Sequence, residues 1–303
     1  MKVVVFDHIH FQGVPMRIRK ILLTTTCLVG CVAMANAAFA ADMYLEGTPV
    51  EPTILPAVSG INGKFALNGG TFDEEGFGVV SGALSLPVGQ AFGLQIDGMA
   101  GARDGEFVGG GGAHLFWRDP NTALFGVYGS YFHREDVDGY VARVGVEGEY
   151  YWNNWTVGAV VGAEFLEAGD EDDTNFFALS DISYYATDNL ELSVGHRYTG
   201  ERHAAAVGVE FQLDQTLFSS GVSLFAEGRL GEDDYQAAWG GIRFYLGEEK
   251  SLIRRHREDD PDFLGIDDLF TFDEECVPDA GKLHGDGYDG FNTCTGEDVH
   301  HEV

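Results

Sequence analysis

Apolar and polar residues alternate most clearly over Tyr140–Phe165, YVARVGVEGEYYWNNWTVGAVVGAEF. Ala142, Val144, Val146, Gly148 and Tyr150 share one side of the first run; Arg143, Gly145, Glu147, Glu149 and Tyr151 share the other. After Asn153-Asn154 the pattern resumes, with Trp155, Val157, Ala159, Val161, Ala163 and Phe165 set against Thr156, Gly158, Val160, Gly162 and Glu164. A period of two predicts strands, because successive side chains leave a strand on opposite faces. The pair therefore predicts a long β-hairpin turned at Asn153-Asn154.

Similar runs extend from Ile61 to Tyr245 and predict about twelve strands. In chain order they are Ile61–Leu67, Gly76–Leu86, Phe92–Ala102, Phe107–Trp117, Ala123–His133, the two runs above, Phe176–Tyr185, Leu190–Tyr198, Ala204–Leu213, Phe218–Arg229 and Tyr235–Tyr245. Their connections alternate in character. One set is short and built for tight turns: 87–90, Asp119-Pro120-Asn121, Asn153-Asn154, Thr187-Asp188-Asn189 and Asp214-Gln215. The other is mostly acidic: Asp73-Glu74-Glu75, Asp104-Gly105-Glu106, 135–138, 167–173 and Glu232-Asp233-Asp234, with Gly200-Glu201-Arg202 the mixed-charge exception. An up-and-down topology places alternate connections at opposite ends, so the acidic loops gather at one rim. A soluble sandwich has no reason to sort its loops this way. A closed membrane-spanning sheet does, with its apolar face on lipid and its polar face inward. The fold class expected is all-β: an antiparallel up-and-down transmembrane β-barrel of about twelve strands over 59–246, followed by an irregular acidic tail over 247–303.

Composition narrows the function. A net charge of −31 excludes nucleic acid as a partner, since a phosphate-binding surface must be basic. Glycine, at 42 of 303 residues, suits closely packed strands. The N-terminal region reads as an export signal over 1–40: Arg17, Arg19 and Lys20, then the mostly apolar Ile21–Met34, then Ala38-Phe39-Ala40. Met16 is an alternative start, and Leu28-Val29-Gly30-Cys31 an alternative, lipoprotein-like cleavage box. Residues 41–58, with Pro49, Pro52 and Pro56, form a linker.

The charged sides of the strands define the candidate lumen: Arg143, Glu147, Glu149, Glu164, Asp181, Glu191, Arg197, Glu210, Glu227, Arg229 and Arg243. A basic residue on lipid near the midplane would cost roughly 2–4 kcal/mol, which argues for the inward assignment. Acids outnumber bases in this set, which favours cations. If the charges pair across strands instead, they fill the barrel and conduct little.

The export signal, alternating runs, aromatic-rich turns and sorted loops resemble a Gram-negative porin-type outer-membrane β-barrel. The likeness is architectural, covers about 59–246, and names no substrate. It implies an outer-membrane location, contact with outer-membrane lipid and lipopolysaccharide, and insertion by the barrel-assembly machinery. It also implies passive diffusion of small hydrophilic solutes, without catalysis or a cofactor. Ile242-Arg243-Phe244-Tyr245 resembles the terminal aromatic signal of such barrels, although a tail follows it. The competing readings are a filled structural or surface-interaction barrel and an outer-membrane lipid-modifying enzyme. The enzyme rests on His196, which falls on the apolar face one strand from Ser180, as outer-membrane phospholipases carry a histidine and a serine on the lipid-facing wall.

In the tail, Cys276 and Cys294 are expected to form a disulfide, closing a loop worth roughly 3 kcal/mol. Ser251–Arg257 is basic and reads either as a headgroup contact or as a solvated run. The remainder is a candidate surface for a periplasmic partner. Neither the HGDGYDG stretch nor His300-His301 has the spacing of a built metal site.

Overall fold

The computed structural model describes residues 55–73, 75–135, 139–168, 171–213, 221–232, 235–259, 261, 266–267, 289–292 and 297–300. The export signal, most of the linker and the Cys276/Cys294 pair lie outside them, as do Asp214-Gln215 and the start expected for the eleventh strand.

Twelve antiparallel strands close into a barrel. They are β1 (Asn62–Phe72), β2 (Glu75–Val88), β3 (Phe92–Arg103), β4 (Glu106–Asp119), β5 (Ala123–Arg134), β6 (Gly139–Trp152), β7 (Trp155–Ala168), β8 (Glu171–Thr187), β9 (Leu190–Thr199), β10 (Arg202–Gln212), β11 (Gly221–Gly231) and β12 (Gln236–Leu246). Every strand pairs with its sequence neighbours, and β1 pairs with β12 from Gly63↔Leu246 to Phe72↔Ala237 to close the seam. Most strands run a little beyond the alternating stretch that predicts them. Backbone pairing continues past the apolar band into the acidic loops, as where β8 begins at Glu171. The Asn153-Asn154 turn has Asn153 at φ 51°, a conformation that asparagine tolerates better than most residues.

The outer wall is apolar. Val80, Ile96, Val144, Val146, Val157, Ile182, Val194, Val207 and Leu224 are exposed along it. Aromatics ring both ends. At the tight-turn end Phe92, Trp117, Phe125, Tyr150, Trp152, Trp155 and Tyr184 are exposed, with Trp155 and Tyr184 4.6 Å apart. Towards the acidic-loop end Tyr131 stacks on Tyr140 at 5.0 Å, and Phe176 meets Tyr198 at 6.3 Å. Two aromatic girdles around an apolar band are the signature of a wall that faces lipid.

The interior differs from the wholly polar lining that alternation predicts. One apolar cluster gathers Phe72, Phe77, Val79, Met99, Val108, Phe132, Tyr235 and Trp239 inside the barrel, and a second joins Val58, Phe116, Leu124 and Tyr151. Eight-stranded barrels are filled by side chains and barrels of about sixteen strands hold channels; a barrel of twelve lies between.

Two chain segments outside the strands pack into the tight-turn end. Ala57 and Val58, expected in an irregular linker, are buried, and the Ala57 N–H donates to the Gln90 carbonyl (2.8 Å). The basic stretch after β12 is a short helix, α1 (Leu252–Glu258), with Leu252 and Arg255 buried. This corrects its reading as a headgroup-facing or solvated run: the Arg255 Nε–H donates to Gln212 Oε1 (2.9 Å), and its guanidinium lies 5.0 Å from the Tyr245 ring centre. Further on, two short strands, β13 (Asp289–Asn292) and β14 (Glu297–His300), pair antiparallel.

Candidate lumen site

The eleven charged residues predicted from strand parity all fall on the side opposite the exposed apolar residues. Arg143, Glu147, Glu164, Arg197, Glu210 and Arg229 are buried; Glu149, Asp181, Glu191, Glu227 and Arg243 are half-buried. They form pairs and chains rather than an open charged surface. Arg143 and Glu164 are register partners on β6 and β7, and their ion pair is fully buried, with Nη2–Oε2 at 2.6 Å. The other Glu164 oxygen accepts the Gly200 N–H (2.8 Å), tying the pair to the β9–β10 loop. Arg243 pairs with Glu210, which also accepts hydrogen bonds from Ser223 Oγ and the Tyr245 hydroxyl.

Strand parity also explains charges that the sequence list missed. Asp97, His114, Arg103, Arg118, Arg134 and Lys64 are buried too. His114 presents Nε2 to Asp97 (2.8 Å) and Nδ1 to Glu147 (2.7 Å). Gln95 donates from Nε2 to Asp97 and accepts from Ser85 Oγ at Oε1, extending the chain to β2. Arg103, Arg118 and Arg134 stand at or next to strand ends, where sequence reading assigns residues to loops. Each nevertheless has the inward parity of its strand.

The C-terminal segment enters this interior. At the tight-turn mouth α1 is latched by several contacts. Lys250 Nζ bonds Asp259, Glu258 and Ser59, and Asn62 donates to Asp259. His256 touches the Tyr185 hydroxyl through Nδ1 (2.9 Å) and the Tyr245 hydroxyl through Nε2 (3.1 Å). Beyond the helix, the Pro261 carbonyl accepts from Lys64 Nζ (3.2 Å) and Gln95 Nε2 (3.3 Å). Ile266 then packs on the larger apolar cluster, and the buried Asp267 carboxylate joins Arg197 (3.0 Å) to Arg229 (2.8 Å). Arg197 and Arg229 each lie two residues before the acidic-loop end of their strands, so Asp267 sits towards that end of the barrel and α1 at the other.

A cavity of about 140 Å³ lies among Lys64, Asp181, Arg197, Glu227, Arg229 and Asp267. A smaller one, about 50 Å³, is lined by Glu147, Glu149, Thr156, Asp181 and Ser183. Glu191, Glu210 and His256 bring ligand-type atoms within 4.8 Å of one another. The pairing of Glu210 with Arg243 opposes a cation there.

On the outer wall, Ser180 and His196 are register partners on β8 and β9. His196 Nε2 lies 3.0 Å from Nδ1 of the exposed His203 on β10. That nitrogen is thus engaged with a second imidazole rather than with a serine.

A closed, even-stranded antiparallel barrel with an apolar, aromatic-girdled wall and charges held inside has the architecture of an outer-membrane-type β-barrel. No family model matches the chain, and no curated protein matches it. Among solved structures it is similar to the KdgM porin in complex with disordered oligogalacturonate, at 11% identity over 61% of this chain and 99% of that one, TM-score 0.47. It is also similar to the Acinetobacter baumannii outer membrane protein Omp33, at 12% identity over 61% and 98%, TM-score 0.41. A third is outer membrane phospholipase A from Escherichia coli, at 14% identity over 65% and 95%, TM-score 0.40.

Proposed function

We propose that this barrel serves passive permeation of small hydrophilic solutes across the outer membrane, and that its own C-terminal segment holds it closed. The observation that supports the gate is the Asp267 carboxylate seated between Arg197 and Arg229 inside the bore. Permeation then requires the segment from α1 to Asp267 to withdraw, leaving a path lined by charges of both signs. The orientation that fits is α1 at the periplasmic mouth and the acidic loops outside. Selectivity follows the carboxylates around the smaller cavity, Glu147, Glu149 and Asp181. Lys64, Arg103, Arg118 and Arg134 offset them, so the cation preference is expected to be small.

The inward apolar clusters favour a second reading, a filled barrel with a structural or surface-interaction role. The lipid-modifying enzyme ranks below both, because the His196 nitrogen is engaged with His203. Single-channel recording of the refolded protein in a planar bilayer under a salt gradient separates the first two. Infrequent steps in the wild type, made frequent by Asp267→Asn, support the gated pore. Glu147→Gln and Glu149→Gln should then reduce any cation preference. Silence in the wild type and in Asp267→Asn alike would move the assignment to the filled barrel.

A further inference from the structure

The outer wall carries one polar arrangement that permeation does not use. His196 and His203 flank the β9–β10 hairpin on its outward face. His196 is the register partner of Ala205 and His203 of Tyr198, so the two imidazoles are diagonal neighbours across the strand pair. Both are exposed, their ring centres are 5.1 Å apart, and Nε2 of His196 faces Nδ1 of His203 at 3.0 Å. Two features hold them in place. The His203 ring packs on the Tyr198 ring at 4.6 Å. The His203 backbone is clamped on both sides by Glu232: its N–H donates to Glu232 Oε2 (2.9 Å), and its carbonyl accepts the Glu232 N–H (3.0 Å).

We infer that His196 and His203 form a surface site for a divalent transition-metal ion of the zinc or copper class. Imidazole nitrogens bind such ions at about 2.0–2.1 Å, and at a tetrahedral angle two of them stand about 3.3 Å apart. The observed 3.0 Å needs only a few tenths of an ångström of opening. Imidazole ligands select borderline ions such as Zn²⁺ and Cu²⁺ over Mg²⁺ and Ca²⁺, which take oxygen donors. Two protein nitrogens leave the other coordination positions to water or to an oxygen ligand at the membrane surface. Glu232 keeps a carboxylate beside the site, because its backbone bond to His203 anchors it there. In the absence of metal, a single N–H···N hydrogen bond between the rings accounts for the same approach, and the experiment must separate the two.

Full-length protein refolded in detergent, carrying His300→Ala and His301→Ala to remove the adjacent histidines at the end of the chain, is titrated with Zn²⁺ by calorimetry. The expected result is one Zn²⁺ per chain, lost in His196→Ala and in His203→Ala, with Mg²⁺ producing no heat at the same concentrations. Both substitutions are at exposed positions, and heat-modifiable electrophoretic mobility verifies that each variant is folded. His196→Gln is the second choice if His196→Ala fails that check. Zn²⁺ binding that survives both histidine substitutions would place the ion elsewhere, as at Glu191, Glu210 and His256, and overturn the inference. No binding by the parent would overturn it equally, leaving only the hydrogen bond.

Discussion

His114 on β4 and Glu147 on β6 meet at 2.7 Å although strand β5 lies between them. The intervening inward position is Gly126, and a Cβ there would stand 2.6 Å from Glu147 Oε1, 2.8 Å from Phe116 Cβ and 2.9 Å from the Leu115 carbonyl. The absent side chain lets a glutamate reach over its neighbouring strand. It also links β3, β4 and β6 through Asp97, His114 and Glu147.

Gly126→Ala should therefore destabilise the barrel by about 1–3 kcal/mol, the usual cost of forcing an extra carbon into a packed interior. The midpoint of denaturant unfolding in detergent reads this directly. Gly148→Ala is the control, because its Cβ would come no closer than 3.6 Å to any neighbour. Equal midpoints for Gly126→Ala and the wild type would mean that Glu147 does not hold this position in solution.

Arg143 and Glu164 are buried together with no exposed side-chain surface. Removing one partner strands the other charge, so Glu164→Gln should cost about 3–5 kcal/mol. Replacing both, as Arg143→Met with Glu164→Leu, should recover much of that loss, since desolvation of the pair offsets its attraction. Unfolding midpoints of Arg143→Met, Glu164→Leu and the double variant test this. A double variant as unstable as the sum of the singles would contradict it.

Glu258, at the end of α1, reports on the latch. Burial pushes its carboxyl up, but hydrogen bonds from Arg254 and Lys250 and their charges outweigh burial and hold it below the ordinary value. A group depressed in the folded state contributes stability that is present above the unfolded value, near about 4.3. That contribution is lost as the pH falls through the lower folded value. Hydrogen exchange of the 252–258 backbone, corrected for intrinsic rates, should thus show less protection below about pH 4 than at about pH 5. Because Arg254 is largely exposed, the effect of Glu258→Gln at neutral pH should be modest, about 0.5–1 kcal/mol.

Withdrawal of the segment from the lumen should also be measurable. Lys250 is buried against Asp259, Glu258 and Ser59, so Lys250→Met removes the cation that joins α1 to the chain before β1. Faster proteolysis at Arg254 and Arg257 by trypsin is the expected outcome, with the barrel itself remaining resistant. An unchanged cleavage rate would show that the latch rests on Arg255 and His256 instead.

The sequence by itself determined the strands and their faces. Alternation is a local property: a residue such as Val146 or Glu147 is assigned to lipid or lumen by its place in its own strand, without knowledge of any other. The sorting of short and acidic connections then determined an even-stranded meander. Local reading was weakest at strand ends, where Arg103, Arg118 and Arg134 look like loop residues although backbone pairing carries them inward. Only the tertiary structure decided what the inward residues meet. Glu147 finds His114 two strands away, Phe132 and Trp239 join one cluster from opposite parts of the chain, and Asp267 reaches Arg197 and Arg229 from beyond the last barrel strand. Such contacts depend on the curvature and bore of the closed sheet and on where the chain re-enters it. Neither leaves a periodic trace in the sequence, because the partners are set by distance across the lumen and not by spacing along the chain.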